Sequence, residues 1–150
     1  MDLAHIVQLV EQNIPGAVAE QPPSGILIRP ESLHAVMGFL KNGPLQFTGL
    51  QCLTAVDRKE SLEVVYHVYS FEQNFMLTVK ALLPSADPVI VSLTPYWEAA
   101  NWFEREVYDL FGVRFTGHPD LRRILNPDGF VGHPLRKDYA GTEIIRRPVK

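Results

Sequence analysis

Hydrophobic residues recur at helical spacing twice in the first third of the chain. The two sets are Leu3, Ile6, Val7 and Val10, then Leu33, Val36, Met37 and Leu40. Both follow the i, i+3, i+4, i+7 pattern of one helical face. Pro15-Gly16 and Asn42-Gly43-Pro44 mark their ends. The pattern therefore predicts two amphipathic helices, with a short strand over Gly25 to Arg29 between them.

From Leu45 onward the hydrophobic period changes to two. Leu62, Val64, Tyr66 and Val68 alternate with more polar positions, and the inward set of the next segment is Phe75, Leu77, Val79, Ala81 and Leu83. This alternation is typical of half-buried strands. Turns are expected over residues 57–60 and 71–74, so we predict neighbouring antiparallel strands, with a further strand over Val89 to Leu93.

A third helix is predicted from Thr94 at the N-cap, with Pro95 at its first position, to Phe111 before Gly112. Its aromatic residues lie all around the helical circumference, so we expect some of them to pack on another element or another protein. The predicted order is α-β-β-α-β-β-β-β-α. This order indicates an α+β fold, with a small, mostly antiparallel sheet packed with helices.

Regular periodicity ends after Gly112. Residues 112–150 contain five glycines, four prolines and eight basic residues against four acidic ones, whereas residues 1–111 carry six basic and thirteen acidic residues. Isolated apolar residues punctuate the stretch, which suggests an extended segment laid over a surface. We therefore predict a core domain over 1–111 and an extended basic arm over 112–150 that docks on the core and on a partner.

Composition limits the possible functions. The chain has 150 residues, a net charge of -3 and one cysteine, Cys52. It is about one domain long, its charge does not favour nucleic-acid binding, and it can form neither an intrachain disulfide nor a four-cysteine metal site. No signal sequence and no run of ~18 apolar residues is visible. We expect a cytoplasmic protein whose contact with a membrane is peripheral.

Two carboxylates lie where a helix disfavours negative charge. Glu106 and Asp109 fall in the last turns of the third helix, at the negative end of its dipole. Guanidinium groups are the natural compensation, because they bind carboxylates through paired hydrogen bonds. We therefore expect a carboxylate–arginine lattice that joins this helix to the arm, with arginines drawn from Arg105, Arg114, Arg122, Arg123 and Arg136.

Two strings of residues resemble a known family. EREVYDLFGVRFTGHPDLRRIL runs from Glu104 to Leu125, and GHPLRKDY follows from Gly132 to Tyr139. Their residue types and spacing are similar to the C-type subunit of proton-pumping NADH:quinone oxidoreductase, respiratory complex I, which is called the J-type subunit in the cyanobacterial and plastid form. The resemblance implies a scaffold subunit of the peripheral arm that has no catalytic activity of its own.

The same resemblance implies the partners and the cofactors. The chain would contact the D-type subunit, which forms the quinone site, and neighbouring iron–sulfur subunits, on the cytoplasmic side of the inner membrane. It would carry no cofactor or metal itself, while the complex holds FMN and iron–sulfur clusters and uses quinone. The positions implied in docking are Glu104, Arg105, Glu106, Asp109, Gly112, Gly117, His118, Asp120, Arg122, Arg123, Gly132, His133, Arg136, Lys137 and Asp138.

Other functions remain open at this point. Related subunits serve energy-converting hydrogenases and F420H2 dehydrogenases, so the electron donor is undecided. His118, His133 and Asp120 offer a two-histidine, one-carboxylate set of ligands, although neither histidine lies in a helical ligand pattern. Tyr108 to Val113, followed by His118-Pro119-Asp120, also resembles two landmarks of J-domain cochaperones. In that family a basic helix separates the two landmarks. Here His118 comes only ten positions after Tyr108, which leaves no room for such a helix.

Overall fold

Three α-helices, a short 3-10 helix (Pro30–Ser32) and seven strands occur within residues 1–140, the part of the chain that the computed structural model describes. The α-helices are α1 (Leu3–Asn13), α2 (Leu33–Asn42) and α3 (Ala100–Phe111). The strands are β1 (Val18–Glu20), β2 (Ile26–Ile28), β3 (Gly49–Asp57), β4 (Ser61–Ser70), β5 (Phe75–Pro84), β6 (Val89–Val91) and β7 (Arg114–Thr116). The last ten residues of the predicted arm, 141–150, lie outside the described residues.

The main sheet has five strands in the order β1-β2-β5-β4-β3. Strands β3, β4 and β5 form a continuous antiparallel meander, and β1 is antiparallel to β2. Strand β2 runs parallel to β5, where Ile26 pairs with Val79. The predicted α+β class with a small, mostly antiparallel sheet is therefore confirmed.

A single hydrophobic core lies on one face of this sheet. The inward side chains of β4 and β5 are buried, as their period of two predicts. Helix α1 contributes Ile6 and Val10, and α2 contributes its predicted apolar face. The N–H of His5 donates to the Asp2 side chain at 2.8 Å, which caps α1.

Helix α3 begins at Ala100, so the predicted start at Thr94 is wrong. Residues 94–99 form turns, in which the Leu93 carbonyl accepts the N–H groups of both Tyr96 and Trp97. These turns bring the Trp97 ring into the core, and its indole N–H donates to the Thr48 carbonyl at 3.1 Å. Burial of a large aromatic ring therefore overrides the local capping pattern.

Strand β7 links the end of α3 to a second, two-stranded sheet. Gly112 ends the helix in the left-handed conformation, with φ of 79°, and β7 then pairs in parallel with β6. Val113 and Phe115 are buried in the main core. The division at residue 111 stays a prediction, while these contacts show that residues 113–115 pack with the body of the protein.

No helix within residues 1–140 is long and apolar enough to cross a membrane.

Candidate functional site

The Asp109 carboxylate, near the end of α3, is the point where the helix and the arm meet. It is fully buried, and its Oδ1 accepts from Arg123 Nη1 at 2.7 Å and from Asn126 Nδ2 at 2.9 Å. Its Oδ2 accepts three consecutive main-chain N–H groups, those of Ile124, Leu125 and Asn126, at 2.8 to 3.2 Å. One side chain thereby holds four successive arm residues against the helix.

These donors keep Asp109 ionised. Burial alone would raise the pKa of this carboxyl. The hydrogen bonds from the main chain and side chain of Asn126, from Arg123 and from Leu125 outweigh burial and hold the pKa well below its usual range. The unfavourable position at the helix C-terminus is thus compensated by one cation and a cluster of N–H groups.

Arginine side chains bind the main-chain carbonyls of the arm and its surroundings. Arg105 donates to the carbonyls of Arg122 and Arg123, both at 3.2 Å. Arg123 also reaches the Gly132 carbonyl at 2.8 Å. A segment without strand partners leaves its carbonyls unpaired, and the planar guanidinium fork supplies the missing donors.

The predicted carboxylate–arginine lattice forms at one position, Asp109–Arg123. Glu106 is exposed and makes no ion pair within residues 1–140, which corrects its predicted place in the lattice. Arg114 pairs with Asp87, and Arg122 pairs with Asp120 at 2.9 Å, both on the surface. The reason for the difference is that Arg105 and Arg136 donate to main-chain carbonyls rather than to carboxylates of α3.

Two glycines of the motif provide space for aromatic rings. A Cβ atom on Gly112 would lie 2.7 Å from His133 Cδ2, and His133 Nδ1 is 3.0 Å from the Asp109 carbonyl oxygen. A Cβ atom on Gly132 would lie 2.7 Å from the Tyr139 ring, which stacks on Phe130. Gly117 has φ of 79° with open space around it, so it serves the turn alone.

Glu104 is a second buried carboxylate, on the side of α3 that faces β6. Its Oε2 accepts from Ser92 Oγ at 2.7 Å, and its Oε1 accepts the Leu93 N–H at 2.6 Å. Burial raises the pKa of Glu104 to about 7, although these two hydrogen bonds oppose the rise. The charged form is therefore much less favourable here than at Asp109.

His118 approaches Glu104 but does not neutralise it. Its Nδ1 accepts the N–H of Asp120 at 2.9 Å, so Nε2 carries the ring proton and donates to the Asn101 carbonyl at 3.0 Å. His118 Nε2 lies 3.9 Å from Glu104 Oε2, and both side chains are fully buried. The hydroxyl of Tyr66, also buried, has no hydrogen-bond partner within residues 1–140.

The possible metal ligands of the motif do not come together. In the described part of the chain, no group of three or more His, Cys, Asp or Glu side chains is arranged to hold a metal ion. The His118 ring accepts the main-chain N–H of Asp120, while His133 sits on the Asp109 carbonyl. The arrangement gives no support to the metal-dependent hydrolase alternative, and the absence of cofactors from this chain stays a prediction.

The sequence matches a known protein family over residues 26–144, described as the 30 kDa subunit of respiratory-chain NADH dehydrogenase. The chain belongs to this family. It is 42% identical to the C-type subunit of NADH-quinone oxidoreductase from Rhodobacter capsulatus, covering 95% of this chain and 73% of the relative. Identity to the corresponding subunit of Geobacter sulfurreducens is 44%, with 83% and 79% covered. The resemblance inferred from the two strings is confirmed.

Other relatives of the 30 kDa family are longer. The 30.4 kDa mitochondrial subunit of Neurospora crassa is 49% identical over 121 residues, and this chain spans 42% of its length. Two solved structures share the fold of this 30 kDa family member. A trypsin-resistant fragment of Nqo5 has a TM-score of 0.64 and 28% identity, covering 77% of this chain and 98% of the fragment. A chain of an archaeal membrane-bound sulfane sulfur reductase has a TM-score of 0.73 and 25% identity, with 91% and 85% covered.

Large apolar side chains of this 30 kDa family member remain exposed around the motif. Trp102 on α3 is 70% exposed, and in the arm the exposed fraction is 63% for Leu125, 87% for Val131 and 53% for Leu135. Trp102 is one of the helix aromatics for which the sequence predicts an outside contact. Arg105 and Arg123 thus bind groups of this chain, whereas Arg122 and these apolar side chains lie on the surface.

Sequence reasoning missed several residues that hold the motif in place. Ser92 binds Glu104, Asn126 binds Asp109, and Asp57 accepts the N–H of Lys137 at 2.8 Å. Asn126 precedes a proline, a pattern that predicts only a turn, whereas Asp57 lies at the end of β3, far from the motif in sequence. Lys137 and Asp138 themselves are exposed, and Asp138 pairs with Arg136.

Proposed function

We propose that this chain is a scaffold subunit, without catalytic activity of its own, in the peripheral arm of a proton-translocating NADH:quinone oxidoreductase. In this role it supports the D-type, quinone-site subunit while electrons pass from NADH to quinone. The observation that carries the proposal is the attachment of the arm through Asp109. That contact pairs Asp109 with Arg123 inside the chain, while large apolar residues near the motif stay on the outside.

The chemistry of the motif favours support over catalysis. Asp109 already accepts five hydrogen bonds from groups of this chain. Glu104 and His118 have fully buried side chains, so a substrate in solution does not reach them. A general acid or base must come within hydrogen-bond distance of its substrate, which these groups do not offer in this conformation.

The exposed surface of the motif suits a protein partner. Trp102, Leu125 and Val131 are the kind of large apolar side chains that anchor an interface, and charged motif residues such as Arg122 and Lys137 lie exposed nearby in sequence. In the proposed complex these residues contact the quinone-site subunit and neighbouring iron–sulfur subunits. FMN, the iron–sulfur clusters and the quinone site belong to other subunits of that complex, and contact with the cytoplasmic side of the membrane is indirect.

A related complex is the second candidate. The likeness to a chain of the archaeal membrane-bound sulfane sulfur reductase covers most of both chains. It favours a role as the equivalent subunit of another energy-converting complex, such as a hydrogenase or F420H2 dehydrogenase. Purified native complex would distinguish the two, because the first proposal requires NADH-dependent quinone reduction and the second requires a different electron donor.

The scaffold role is tested by removing an exposed anchor. Trp102→Ala is expected to lower the amount of assembled complex, measured on a native gel, while the turnover of each assembled complex stays normal. Phe71→Ala is the matched control, because Phe71 is also 70% exposed but lies in the β4–β5 turn, outside the motif. Normal assembly of the Trp102 variant with lost turnover would contradict the scaffold proposal and argue for a catalytic role.

A further inference from the structure

The arm is also attached to the main sheet through the hydrogen bond between Lys137 and Asp57. We propose that Asp57 is a second anchor of the arm, a positioning residue that holds residues 136–139 ready for the partner. The inference rests on the proposed scaffold function. It adds a residue that lies outside both strings of the motif.

Asp57 joins two distant parts of the chain with its two carboxylate oxygens. It is the last residue of β3 and is 7% exposed. Its Oδ1 accepts the Lys59 N–H at 2.7 Å, which closes the β3–β4 turn, and its Oδ2 accepts the Lys137 N–H at 2.8 Å. The second bond spans 80 positions of sequence.

The neighbouring contacts reinforce this attachment. Arg136 donates to the carbonyls of Ser85, at 2.8 Å, and Phe111, at 3.3 Å. The Ser85 hydroxyl in turn donates to the Lys59 carbonyl at 2.8 Å. The β3–β4 turn, the chain after β5 and the end of α3 therefore meet at one place on the arm.

Asp57 is held in its ionised form by the same contacts. The hydrogen bond from the Lys137 N–H lowers the pKa of Asp57, and burial opposes the change. The Lys59 N–H and the charges of Arg136 and Lys137 lower the pKa further. A charged acceptor makes a stronger hydrogen bond to a main-chain N–H than a neutral one does.

Two anchors give the arm a defined course before it meets a partner. Asp109 holds residues 123–126, Asp57 holds Lys137, and the stretch between them presents Val131 and Leu135 to solvent. A segment that is already ordered loses less conformational entropy when it binds. Asp57 therefore acts on partner binding through the position of the arm and need not contact the partner.

Two substitutions separate the functions of the carboxylate. Asp57→Asn leaves one oxygen acceptor, which suffices for the local turn bond to Lys59, and places an NH₂ group where Lys137 needs an acceptor. Asp57→Ala removes both acceptors. Asp87→Asn is the matched control, because the Asp87 side chain pairs with Arg114 of β7 on the nearby surface and accepts no hydrogen bond from residues 123–139.

Hydrogen exchange of the full chain tests the anchor. Both Asp57 variants are expected to accelerate exchange at the Lys137 amide by about tenfold or more, the effect of losing a hydrogen bond to a charged group. Exchange at Ile124 to Asn126, held by Asp109, should not change, nor should the control variant. Unchanged exchange at Lys137 in both variants would overturn the anchor.

Competition for assembly tests the positioning role. When Asp57→Asn and wild-type chains are co-expressed at a temperature at which both isolated chains are folded, the assembled complex should contain several-fold less variant. Faster exchange at Lys137 with equal incorporation would overturn the positioning role and leave the scaffold proposal standing. That proposal fails separately, if Trp102→Ala assembles normally and loses turnover.

Discussion

Replacing Glu104 by glutamine should remove a pH dependence from the stability of this chain. Glutamine has nearly the shape of a protonated glutamate, and its carbonyl oxygen can still accept the Leu93 N–H. The Ser92 hydroxyl can rotate to accept from the new NH₂ group, because a hydroxyl both donates and accepts. The substitution therefore imitates the protonated carboxyl at every pH.

The direction follows from the raised pKa. Folding moves the pKa of Glu104 from an ordinary value of 4.5 to about 7, so the folded chain holds the proton more tightly than the unfolded chain. The resulting stabilisation is complete below pH 4.5 and is lost as the pH rises through about 7. Since each unit of pKa corresponds to ~1.36 kcal/mol, the loss is about 3 kcal/mol.

Other buried groups contribute little in this window. The pKa values of Asp109, Asp57 and Glu11 are lowered by folding, so ionisation of these groups stabilises the folded chain. This stabilisation is lost only as the pH falls below about 4.5, outside the window in which Glu104 titrates. His118 and Tyr66 are the titratable groups that face Glu104 from other elements. The His118 ring binds the Asn101 carbonyl and the Asp120 N–H, and its Nε2 lies 3.9 Å from Glu104 Oε2.

Urea unfolding of the full chain at several pH values measures the effect. The buried ring of Trp97 reports unfolding by fluorescence, and the free energy is extrapolated to water at each pH. Between pH 5 and 8 the free energy of unfolding of the wild-type chain should fall relative to Glu104→Gln by about 2.5 kcal/mol, because part of the loss occurs below pH 5. This is a large share of the ~5–15 kcal/mol that is typical of a domain.

Glu106→Gln is the control, because Glu106 lies on the same helix but is exposed. Its unfolding profile should run parallel to that of the wild-type chain. The reasoning about Glu104 is refuted if the wild-type and Glu104→Gln profiles are parallel between pH 5 and 8, since the carboxyl would then be ionised at little cost.

Three further predictions follow from the arm contacts. Arg123→Ala should lower the free energy of unfolding by ~3–5 kcal/mol, because it leaves the buried Asp109 charge without its cation. Arg122→Ala should lower it by less than ~1 kcal/mol, because the ion pair of Arg122 is exposed. Chemical denaturation of both variants measures the contrast, and equal losses would contradict it. Gly112→Ala should destabilise more than Gly117→Ala, although both residues have positive φ, because only Gly112 is in contact with a ring. Thermal unfolding compares the two, and the reverse order would contradict the packing argument. Asp109→Ala should reduce the amount of assembled complex on native gels, and normal assembly would contradict its role in placing the arm.

Much of the fold could be predicted because its elements have clear hydrophobic periods. Helix α2 and strands β4 and β5 bury the side chains that their spacing indicates. Asp109 could also be predicted as a site of compensation, since a carboxylate at a helix C-terminus is unfavourable. These predictions depend on neighbours in sequence or on one well-defined electrostatic conflict.

The remaining contacts depend on residues that are distant in sequence. The start of α3 is set by burial of Trp97 against the β3 side of the core, which the Thr94-Pro95 pattern does not reveal. The arginines bind backbone carbonyls, and carbonyls carry no sequence signature. Asp57 meets Lys137 only after the sheet and the arm have taken their places, so its role could not be inferred from the hairpin turn.

The position of Asp57 on β3 links the strand register to the presentation of the arm. Asp57 belongs to the inward set of β3 with Leu53 and Ala55, while Thr54 and Val56 face outward. A slip of one residue in the β3–β4 pairing would turn Asp57 to the opposite face of the sheet. The Lys137 N–H would then lose its acceptor. In the proposed complex, a chain with a misaligned hairpin would present a misplaced arm and would therefore assemble less well than a correctly folded copy.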